Sequence, residues 1–564
     1  MNRRRFLSAS LLGSTMANKP QFLYSLTGDP ENVPRFEVSR QVELSVPEEA
    51  IEKSFWVAAK LVAKMRRIAF EHFGKDGLFG VSGGKEQREF FDIRDFRYGP
   101  KCAAYLYGDD PDFAVAMGHR IWEEVDAQDG HILWAWEGRQ QTSIHLAHIA
   151  KHFSDYIAYL EQDAFVQAHW DRLLKMVRWG FATYDRNNDG LLENGDQIPN
   201  HLWVLLIGEP YNFPRVPNCA RDVVVVATMQ VCELLQIMAR YSAENGLAAS
   251  DWLKNRAELT HTALESSAYD PDTDYYYLLY RVPEKKWYHS LLGIDEYSRE
   301  LDVTPYYAAL TSGNFSRARR VADYARKVLL DDRIFPMPLQ YPSYFWISKF
   351  YNDPYGFVPG GCWEEAYTNC VQLWGHCRML EPLYEAVRRR SQAYAREGDC
   401  REWYTQNGEG RGHIQYGISA TAHICAIIEG LFGIRPTGFG FSEVEIHPNL
   451  PFAWTDSDVA IRVTLPNKGF LRYVYRRDRA NGTTTLKVET DAPRTAHLRV
   501  IVPGPVASVA WNGQAVKYES ALEPGVGSVV LLKRPIRNDQ MQIKLATCAS
   551  SSLPKPVCRE ESRD

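Results

Sequence analysis

The sequence predicts a mainly α-helical protein, an (α/α)6 toroid followed by a small C-terminal antiparallel β-sandwich. Three observations favour this fold class. Helical segments recur in pairs over most of the 564 residues, one late segment is apolar on nearly every side, and the pattern changes to short alternating strands near residue 440. Pairs of long helices, some amphipathic and some fully buried, suit two concentric rings. A solenoid of helical hairpins is the alternative, but no fixed-period repeat is visible.

The composition is that of a globular, weakly acidic protein. Hydrophobic residues make up 45% of the chain and charged residues 24%, which argues against disorder. The formal net charge is −5, which argues against a nucleic-acid binder, because such proteins need a basic face. The length exceeds the size at which a single core stops growing, so two domains or one large repeat-built domain are expected.

The N-terminus resembles a bacterial twin-arginine export signal at residues 1–17. Arg3 and Arg4 are followed, after one residue, by Phe6 and Leu7, and a short apolar stretch ends at a passable cleavage site. We therefore expect an exported protein, periplasmic or extracellular; a basic tail on a cytosolic protein is the alternative. An extended arm is predicted for residues 18–44. No later segment has the ~20 continuous apolar residues of a membrane span.

The helical catalytic domain is predicted for residues 45–436. Its first helix follows a capping-box pattern at Ser45–Glu48 and carries an apolar stripe from Ile51 to Ala69. The stretch 418–428 is isoleucine-rich and is expected to be buried on every side. Further helices are predicted near residues 98–106, 111–125, 140–160, 164–181, 219–245, 249–268, 302–312, 315–328, 363–377, 379–395 and 414–431.

The predicted β-sandwich occupies residues 437–546. The run 470–476 alternates between aromatic or β-branched residues and polar ones, as a strand does. Asn481-Gly482 and Asn512-Gly513 are strong hairpin signals. The tail from 547 to 564 is rich in Ser, Pro and charge, and is predicted to be disordered. Cys362, Cys370 and Cys377 stand in or beside one predicted helix and Cys425 in another, and they are interpreted as small buried apolar residues.

The segment from residue 184 to 197 is the strongest candidate for a functional site. One interpretation is a calcium loop, because Asp185, Asn187, Asp189 and Asp196 fall at positions 1, 3, 5 and 12 of the EF-hand pattern. Against it, position 12 is Asp rather than the longer Glu. The favoured interpretation is an acidic loop at the mouth of the toroid that presents Asp196 to the substrate, without a cofactor. The third interpretation is a plain acidic turn with no functional role.

Other segments at the starts of predicted helices join carboxylates with aromatic or basic residues. Loops at one rim of a helical toroid are where a substrate cleft is built. Ordinary solvated loops, ion-pair clusters and helix-entry loops with a packed Trp are the alternatives. The substrate-binding candidates are Arg94, Asp95, Trp136, Glu137, Gln197, Trp363, Glu364, Tyr404 and Glu409.

Glycoside hydrolysis needs this set of residues, since one carboxylic acid protonates the leaving oxygen and a second carboxylate activates water or attacks directly. The segments Glu193–Asp196 and Glu402–Gly410 resemble, with slightly altered spacing, the two acidic motifs of the six-hairpin glycosidases. The likeness is greatest to the family 63, mannosylglycerate-hydrolase-like and trehalase-like group. It implies Asp196 as general acid, Glu402 as general base and inversion of configuration. Arg94-Asp95 resembles the pair that binds the terminal sugar in such toroids.

Two further resemblances are partial. The segment around Asp196-Gln197 also resembles family 116 β-glucosidases, which retain configuration and place a nucleophile upstream, at a residue such as Glu137. The entry to the sandwich at residues 433–439 is similar to α-L-rhamnosidases. We therefore expect a glycosidase that is exo-acting on small sugars or oligosaccharide ends and whose partner is a carbohydrate; the charge and the hydropathy indicate no nucleic acid and no membrane span. The alternatives are a polysaccharide lyase or epimerase on the same toroid, and a non-catalytic carbohydrate-binding protein.

Overall fold

A computed structural model of the chain describes residues 36–73, 76–80, 98–133, 142–195, 221–289, 299–301, 303–330, 364–404, 409–523 and 526–546. The predicted export signal and C-terminal tail lie outside the described residues. No helix in the described ranges is both long and apolar enough to cross a membrane. The described chain is mainly α-helical, with an extended β-region at its C-terminal end.

Twelve helices of eight or more residues alternate between two concentric rings in the described chain. Odd-numbered helices lie outside, and even-numbered helices form the inner ring. Their bounds are α1 (Glu49–Phe73), α2 (Gly99–Tyr107), α3 (Pro111–Glu123), α4 (Ser143–Tyr159), α5 (Trp170–Tyr184), α6 (Val225–Asn245), α7 (Ser250–Ser266), α8 (Val303–Leu310), α9 (Phe315–Leu329), α10 (Glu364–His376), α11 (Leu380–Glu397) and α12 (Gly417–Cys425). A short helix, Asp163–Ala168, precedes α5, and α12 continues as a π-helix over Ala426–Leu431. Seven short strands lie between the helices in the described chain: β2 (Val223–Val224), β3 (Tyr269–Asp270), β4 (Tyr275–Tyr276), β5 (Leu279–Arg281), β6 (Lys286–Tyr288), β7 (Trp403–Tyr404) and β8 (Gly410–Arg411).

The inner ring is closed. Each even-numbered helix packs against the next, and α12 returns to pack against α2. Every residue of α2 is buried. The stretch 418–428 is buried on all sides, as predicted. Its four isoleucines are at most 2% exposed: Ile418, Ile424, Ile427 and Ile428. The predicted toroid is therefore confirmed, and the helices that the periodicity predicted in the described ranges are present.

The predicted capping box at the start of α1 is wrong. Ser45 ends a short strand, β1 (Glu43–Ser45), and the helix begins at Glu49, where the Glu48 carbonyl accepts the first amides. The strand forms because β11 (Val459–Leu465), far along the chain, offers unpaired backbone groups, and Leu44 pairs with Ile461. Backbone pairing with a distant strand thus replaces the local cap.

The C-terminal strands form two layers that share two long strands, β13 (Thr483–Val502) and β17 (Gly527–Leu545). These strands pair antiparallel, with an irregularity between Glu489 and Arg494, where they pass from one layer to the other. The first layer also contains β1, β11, β12 (Gly469–Asp478), β14 (Val506–Trp511) and β15 (Gln514–Ala515). The second also contains β9 (Ile434–Pro436), β10 (Glu443–Ile446) and β16 (Glu519–Glu523).

The two layers pack face to face as a sandwich. The Tyr475 hydroxyl of the first layer donates to the carbonyl of Ile501 in the second, 3.5 Å away, and both residues are buried. The predicted hairpin signals are confirmed, because Asn481-Gly482 joins β12 to β13 and Asn512-Gly513 joins β14 to β15. The pairing of β10 with β13 is parallel, an exception to the antiparallel pattern.

The β-sandwich is fastened to the C-terminal ends of inner helices. Beyond the end of α2, the Gly108 amide donates to the hydroxyl of Thr464, which in turn donates to the Ala104 carbonyl. Past α12, the Phe432 carbonyl accepts from the Tyr473 hydroxyl at 2.7 Å. The N-terminal ends of the inner helices therefore remain as the rim on which a substrate cleft can be built.

Candidate active site at the rim of the inner ring

In sequence order, every predicted site residue except Glu364 falls between an outer helix and the next inner helix. Because every inner helix begins at the same end of the ring, these connections converge on one rim. Arg94 and Asp95 precede α2, Trp136 and Glu137 precede α4, Asp196 and Gln197 precede α6, Trp363 precedes α10 with Glu364 as its first residue, and Glu402, Tyr404 and Glu409 precede α12. The topology thus brings the first residues of the inner helices, from Gly99 to Gly417, to one end of the ring.

Several of these residues lie outside the described ones. They are Arg94, Asp95, Trp136, Glu137, Asp196, Gln197 and Trp363, together with the side chain of Glu364. The geometry of the site is therefore built from Glu402, Tyr404, Glu409 and the segment that ends at Gly195.

Glu402 is held at the rim with its carboxylate oriented. The residue is 8% exposed, and its Oε2 accepts from the backbone amide of His413 at 2.9 Å. The His413 imidazole Nε2 lies 3.8 Å from the same oxygen. The carbonyl of the preceding residue, Arg401, accepts from Ser419 in the first turn of α12 at 2.7 Å. The fold therefore fixes Glu402 against the start of an inner helix.

The other two candidates of this connection have different surroundings. Tyr404 is fully buried; its hydroxyl donates to the Asp399 carbonyl at 3.4 Å and accepts from the Arg401 amide at 3.3 Å. Its ring packs beside the Tyr394 ring, with centroids 5.5 Å apart. Tyr404 thus shapes the loop that holds Glu402. Glu409 is exposed and forms an ion pair with Arg411 at 2.7 Å.

The segment before Asp196 is tied between two inner helices. The Ser143 amide at the start of α4 donates to the Asn194 carbonyl at 3.0 Å, and the Asn194 amide donates to the backbone carbonyl of Asp222, just before α6, at 2.7 Å. Glu193 is buried and forms ion pairs with Arg186 and Arg221. Gly195 has φ +85°, and a Cβ there would lie 2.3 Å from the Tyr184 ring. The acidic motif is therefore anchored at the rim up to Gly195.

The candidate calcium loop is closed by its own hydrogen bonds in its described part. The Asp185 carboxylate accepts from the amides of Asp189 and Gly190 and pairs with Arg256 at 2.8 Å. Asp189 accepts from Asn187 and from the Leu191 amide. Burial raises the pKa of Asp185 to about 6, although Gly190 and Arg256 oppose the rise. A guanidinium thus stands beside the first predicted calcium ligand, and the twelfth-position residue lies outside the described chain.

One group of three potential metal ligands occurs among the described residues: Asp126, Asp129 and His131, in the connection to α4. The Asp129 carboxylate already accepts from the amide of His131 at 3.0 Å and lies 2.8 Å from its imidazole Nδ1. Asp126 accepts from the amides of Gln128 and Asp129. These contacts account for the group as a hydrogen-bonded turn.

The axis of the inner ring holds buried charges that the sequence analysis missed. In the Lys151 cluster, the ammonium of Lys151 donates to Asp155 at 2.7 Å, Glu233 at 3.0 Å and the Tyr306 hydroxyl at 2.8 Å. In the Glu429 cluster, the carboxylate accepts from Lys101, Tyr105 and Gln372. All six inner helices, counting the π-helical end of α12, contribute to these two clusters.

The two clusters close the centre of the ring below a small cleft. The Lys101 ammonium lies 5.2 Å from the centroid of the Tyr306 ring, which links the clusters. The cleft above them is narrow, with a volume of about 20 Å³, and is lined by Tyr98, Lys151, Gln230, Val303, Tyr306 and Asn369. Four of these residues come from the first two turns of α6, α8 and α10. The rim therefore opens onto a blind pocket in the described part of the ring.

The surroundings of the Lys151 cluster keep the Lys151 ammonium charged and the Tyr306 hydroxyl protonated. Burial alone would lower the pKa of Lys151, but Asp155 and Glu233 outweigh it and hold the pKa well above its ordinary value. Burial and then Glu233 raise the pKa of Tyr306. Burial also raises the pKa of Glu233, an effect that Lys151 opposes and Asp155 reinforces.

The signal for these residues was present in the sequence. Lys101, Lys151 and Glu429 each stand inside a segment whose other residues are mostly apolar. A charge in such a position needs a buried partner, because an isolated ion is too costly to bury. The partners, however, come from other helices, so the sequence pattern alone does not identify them.

Comparison with protein-family models and with curated proteins finds no match to this sequence. Among solved structures, the α-L-rhamnosidase from Dictyoglumus thermophilum matches 90% of this chain and 51% of its own, with a TM-score of 0.58 and 11% identity. The α-L-rhamnosidase of Streptomyces avermitilis, in complex with L-rhamnose, matches 90% of this chain and 42% of its own, with a TM-score of 0.57 and 10% identity.

A mannosylglycerate hydrolase of glycoside hydrolase family 63 from Thermus thermophilus matches 64% of this chain and 99% of its own, with a TM-score of 0.45 and 14% identity. The chain spans about half the length of the rhamnosidases that it matches. The rhamnosidase matches extend over most of the chain, including much of the C-terminal β-region. The chain therefore shares the fold of these rhamnosidases, an (α/α)6 ring with a C-terminal β-domain.

Proposed function

We propose that the chain is a glycoside hydrolase that acts on small sugars or on the ends of oligosaccharides. The observation that carries the proposal is the position of Glu402, an oriented and mostly buried carboxylate at the rim of a closed inner ring. The second acidic motif is anchored at the same rim up to Gly195. Two carboxylates that face one sugar ring are what hydrolysis of a glycosidic bond requires.

In the proposed mechanism, Asp196 protonates the departing glycosidic oxygen while Glu402 takes a proton from the attacking water. The water attacks the anomeric carbon from the opposite face, so the configuration inverts. The His413 amide fixes one oxygen of Glu402, which supports its role as an oriented base. Arg94, Asp95, Trp136, Glu137, Gln197, Trp363 and Glu364, in the connections to the same rim, would bind the sugar.

The blind pocket supports action at a chain end. A long polymer that threads through the ring would need an open axis, and the Lys151 and Glu429 clusters fill that axis with hydrogen-bonded side chains. The alternative of a lyase has one supporting observation, because Tyr98 and Tyr306 line the cleft. The raised pKa of Tyr306 keeps this phenol protonated, which makes it a poor base for proton abstraction.

The test is turnover on a panel of aryl glycosides and oligosaccharides. We expect Glu402→Gln and Asp196→Asn each to lower kcat by about 10²–10⁴-fold, and Glu258→Gln, on the exposed face of α7, to have no effect. Wild-type turnover in either site variant would contradict the proposal, as would an unsaturated product that absorbs in the ultraviolet. Proton NMR of the first anomer released tests inversion; retention would instead favour a nucleophile such as Glu137.

We also propose export through residues 1–17, which N-terminal sequencing of the mature protein would test. The alternative role of the loop from Asp185 to Asp196 is calcium binding. If the loop binds calcium, chelation with EGTA should lower the melting temperature of the protein.

A further inference from the structure

We infer that the second layer of the β-sandwich carries an accessory binding site for an acidic oligosaccharide. The site is a groove of about 480 Å³, here called the β16 groove, whose walls include Arg499, Lys517, Tyr518, Glu519, Lys533 and Arg534. This site goes beyond the proposed function, because it is separate from the rim.

The β16 groove lies at the opposite end of the ring from the candidate active site. Glu445, which also borders the groove, lines a small cavity together with Arg435 and His376. His376 is the last residue of the inner helix α10. The groove therefore adjoins the C-terminal ends of the inner helices, whereas the rim is formed by their N-terminal ends.

The charges in the groove are unbalanced in favour of cations. Glu445 pairs with Arg499 of the groove, 3.0 Å away, and with Arg435, which lines the adjoining small cavity, so one positive charge is left over beside the groove. Lys533 shares Glu443 with His497. Such a surplus is notable in a chain whose net charge is −5.

Two further cations add to this surplus. Within the described residues, Lys517 and Arg534 take part in no ion pair, and the Nε of Arg534 is buried without a hydrogen-bond partner. Glu519 is the one acid of the groove wall that no described cation neutralises. The groove therefore offers charge-assisted hydrogen bonds to an anion.

An apolar platform accompanies these cations. Tyr518 is half-buried at the groove, and Leu531 on the neighbouring strand β17 is 37% exposed. A flat ring beside an aliphatic side chain suits the apolar face of a pyranose, and the cations suit its carboxylates. This combination favours a chain of uronic acids over a simple polyanion, which would need the cations alone.

The test is isothermal titration calorimetry of the full chain with a hexamer of galacturonic acid. The comparison ligands are neutral cellohexaose and hexaglutamate. We expect saturable binding of the acidic sugar that weakens with salt, because exposed charges are screened. Lys517→Gln and Arg534→Gln should each weaken binding roughly two- to fivefold, the range for removal of an exposed cation, and Tyr518→Ala should also weaken it.

The matched control is Lys487→Gln, an exposed lysine on β13 in the first layer, which should leave binding unchanged. Absence of binding, equal binding by the groove variants, or equally tight binding of hexaglutamate would each overturn the proposal. Turnover of a small glycoside should stay at the wild-type level in all groove variants. This readout separates the accessory site from the proposed hydrolysis at the rim.

Discussion

At the scale of single residues, the inner ring depends on charges that satisfy one another away from water. Lys101 is fully buried and donates to Glu429 at 2.9 Å, and the same carboxylate accepts from Tyr105 and Gln372. Burial alone would lower the pKa of Lys101, but Glu429 and neighbouring tyrosines raise it well above its ordinary value. Removal of one partner should therefore leave an uncompensated buried charge.

We expect Lys101→Met to lower the free energy of unfolding by about 3–5 kcal/mol, because it leaves Glu429 without its cation. The double variant Lys101→Met/Glu429→Gln should recover part of the loss, since the amide oxygen still accepts from Tyr105. Urea denaturation measures both. The exposed pair of Arg476 and Asp458 is the control, and Arg476→Met should cost at most about 1 kcal/mol. A similarly small loss for Lys101→Met would contradict this account.

Gly195 offers a second test, because it precedes the proposed acid. Its φ is +85°, and an added Cβ would lie 2.3 Å from Tyr184; Gly246 has φ +64° and nothing within 4 Å. Gly246→Ala should lower the free energy of unfolding by only about 1–2 kcal/mol, the penalty for a side chain on left-handed backbone. Gly195→Ala should lose a further amount of about 1–3 kcal/mol of unfolding free energy, because its Cβ overpacks against Tyr184, and it should also lower kcat. Equal losses of stability, or unchanged kcat, would show that the Tyr184 contact does not position the motif.

At the scale of elements, the helices and hairpins were predictable because their signals are local. The stripe from Ile51 to Ala69 and the two Asn-Gly turns identify their elements within a few residues. Strand β1 was not predictable, because its three residues form a strand only through pairing with β11. The site shows the same division. The acidic motifs stand out in the sequence, whereas the Lys151 cluster joins residues from three different helices, a relation that only the folded ring creates.

The strands β9, β10 and β13 meet where Glu445 of β10 pairs with Arg435 of β9 and Arg499 of β13. The contribution of these ion pairs to stability depends on pH. Burial would raise the pKa of Glu445, but Arg435 and Arg499 outweigh it and lower the pKa to about 2, from an ordinary 4.5. A depressed carboxyl pKa stabilises the fold above pH 4.5, and this stability is lost as the pH falls through 2. The shift corresponds to about 3 kcal/mol.

We therefore expect the difference in unfolding free energy between the wild type and Glu445→Gln to narrow as the pH falls from about 4.5 toward 2. Urea denaturation at several pH values measures this difference. Glu258→Gln, on the exposed face of α7, should show a constant difference over the same range. A pH-independent difference for Glu445→Gln would mean that the two arginines do not hold this carboxylate charged.

At the scale of the whole molecule, the ring and the β-sandwich share too many buried contacts to unfold separately. Thr464 bridges Gly108 and Ala104 of the ring, Tyr473 reaches Phe432, and β1 precedes the first outer helix yet belongs to the sheet. We expect a single calorimetric transition for the full chain. Thr464→Val, which removes both hydrogen bonds and leaves the Gly108 amide unpaired, should lower the melting temperature without splitting the peak. Two resolved transitions in the wild type would contradict this expectation.

Strand β1 has a consequence for biosynthesis. Beside it, Gln41 accepts from Arg462, a residue 421 positions later in the chain. A ribosome that synthesises the chain from its N-terminus completes every helix of the ring before the strand that covers Glu43–Ser45 exists. Until then residues 43–45 have no strand to pair with, and Leu44, which is buried in the finished protein, lacks the sheet that covers it. Formation of β1 is therefore a late step, which follows the synthesis of all the ring helices.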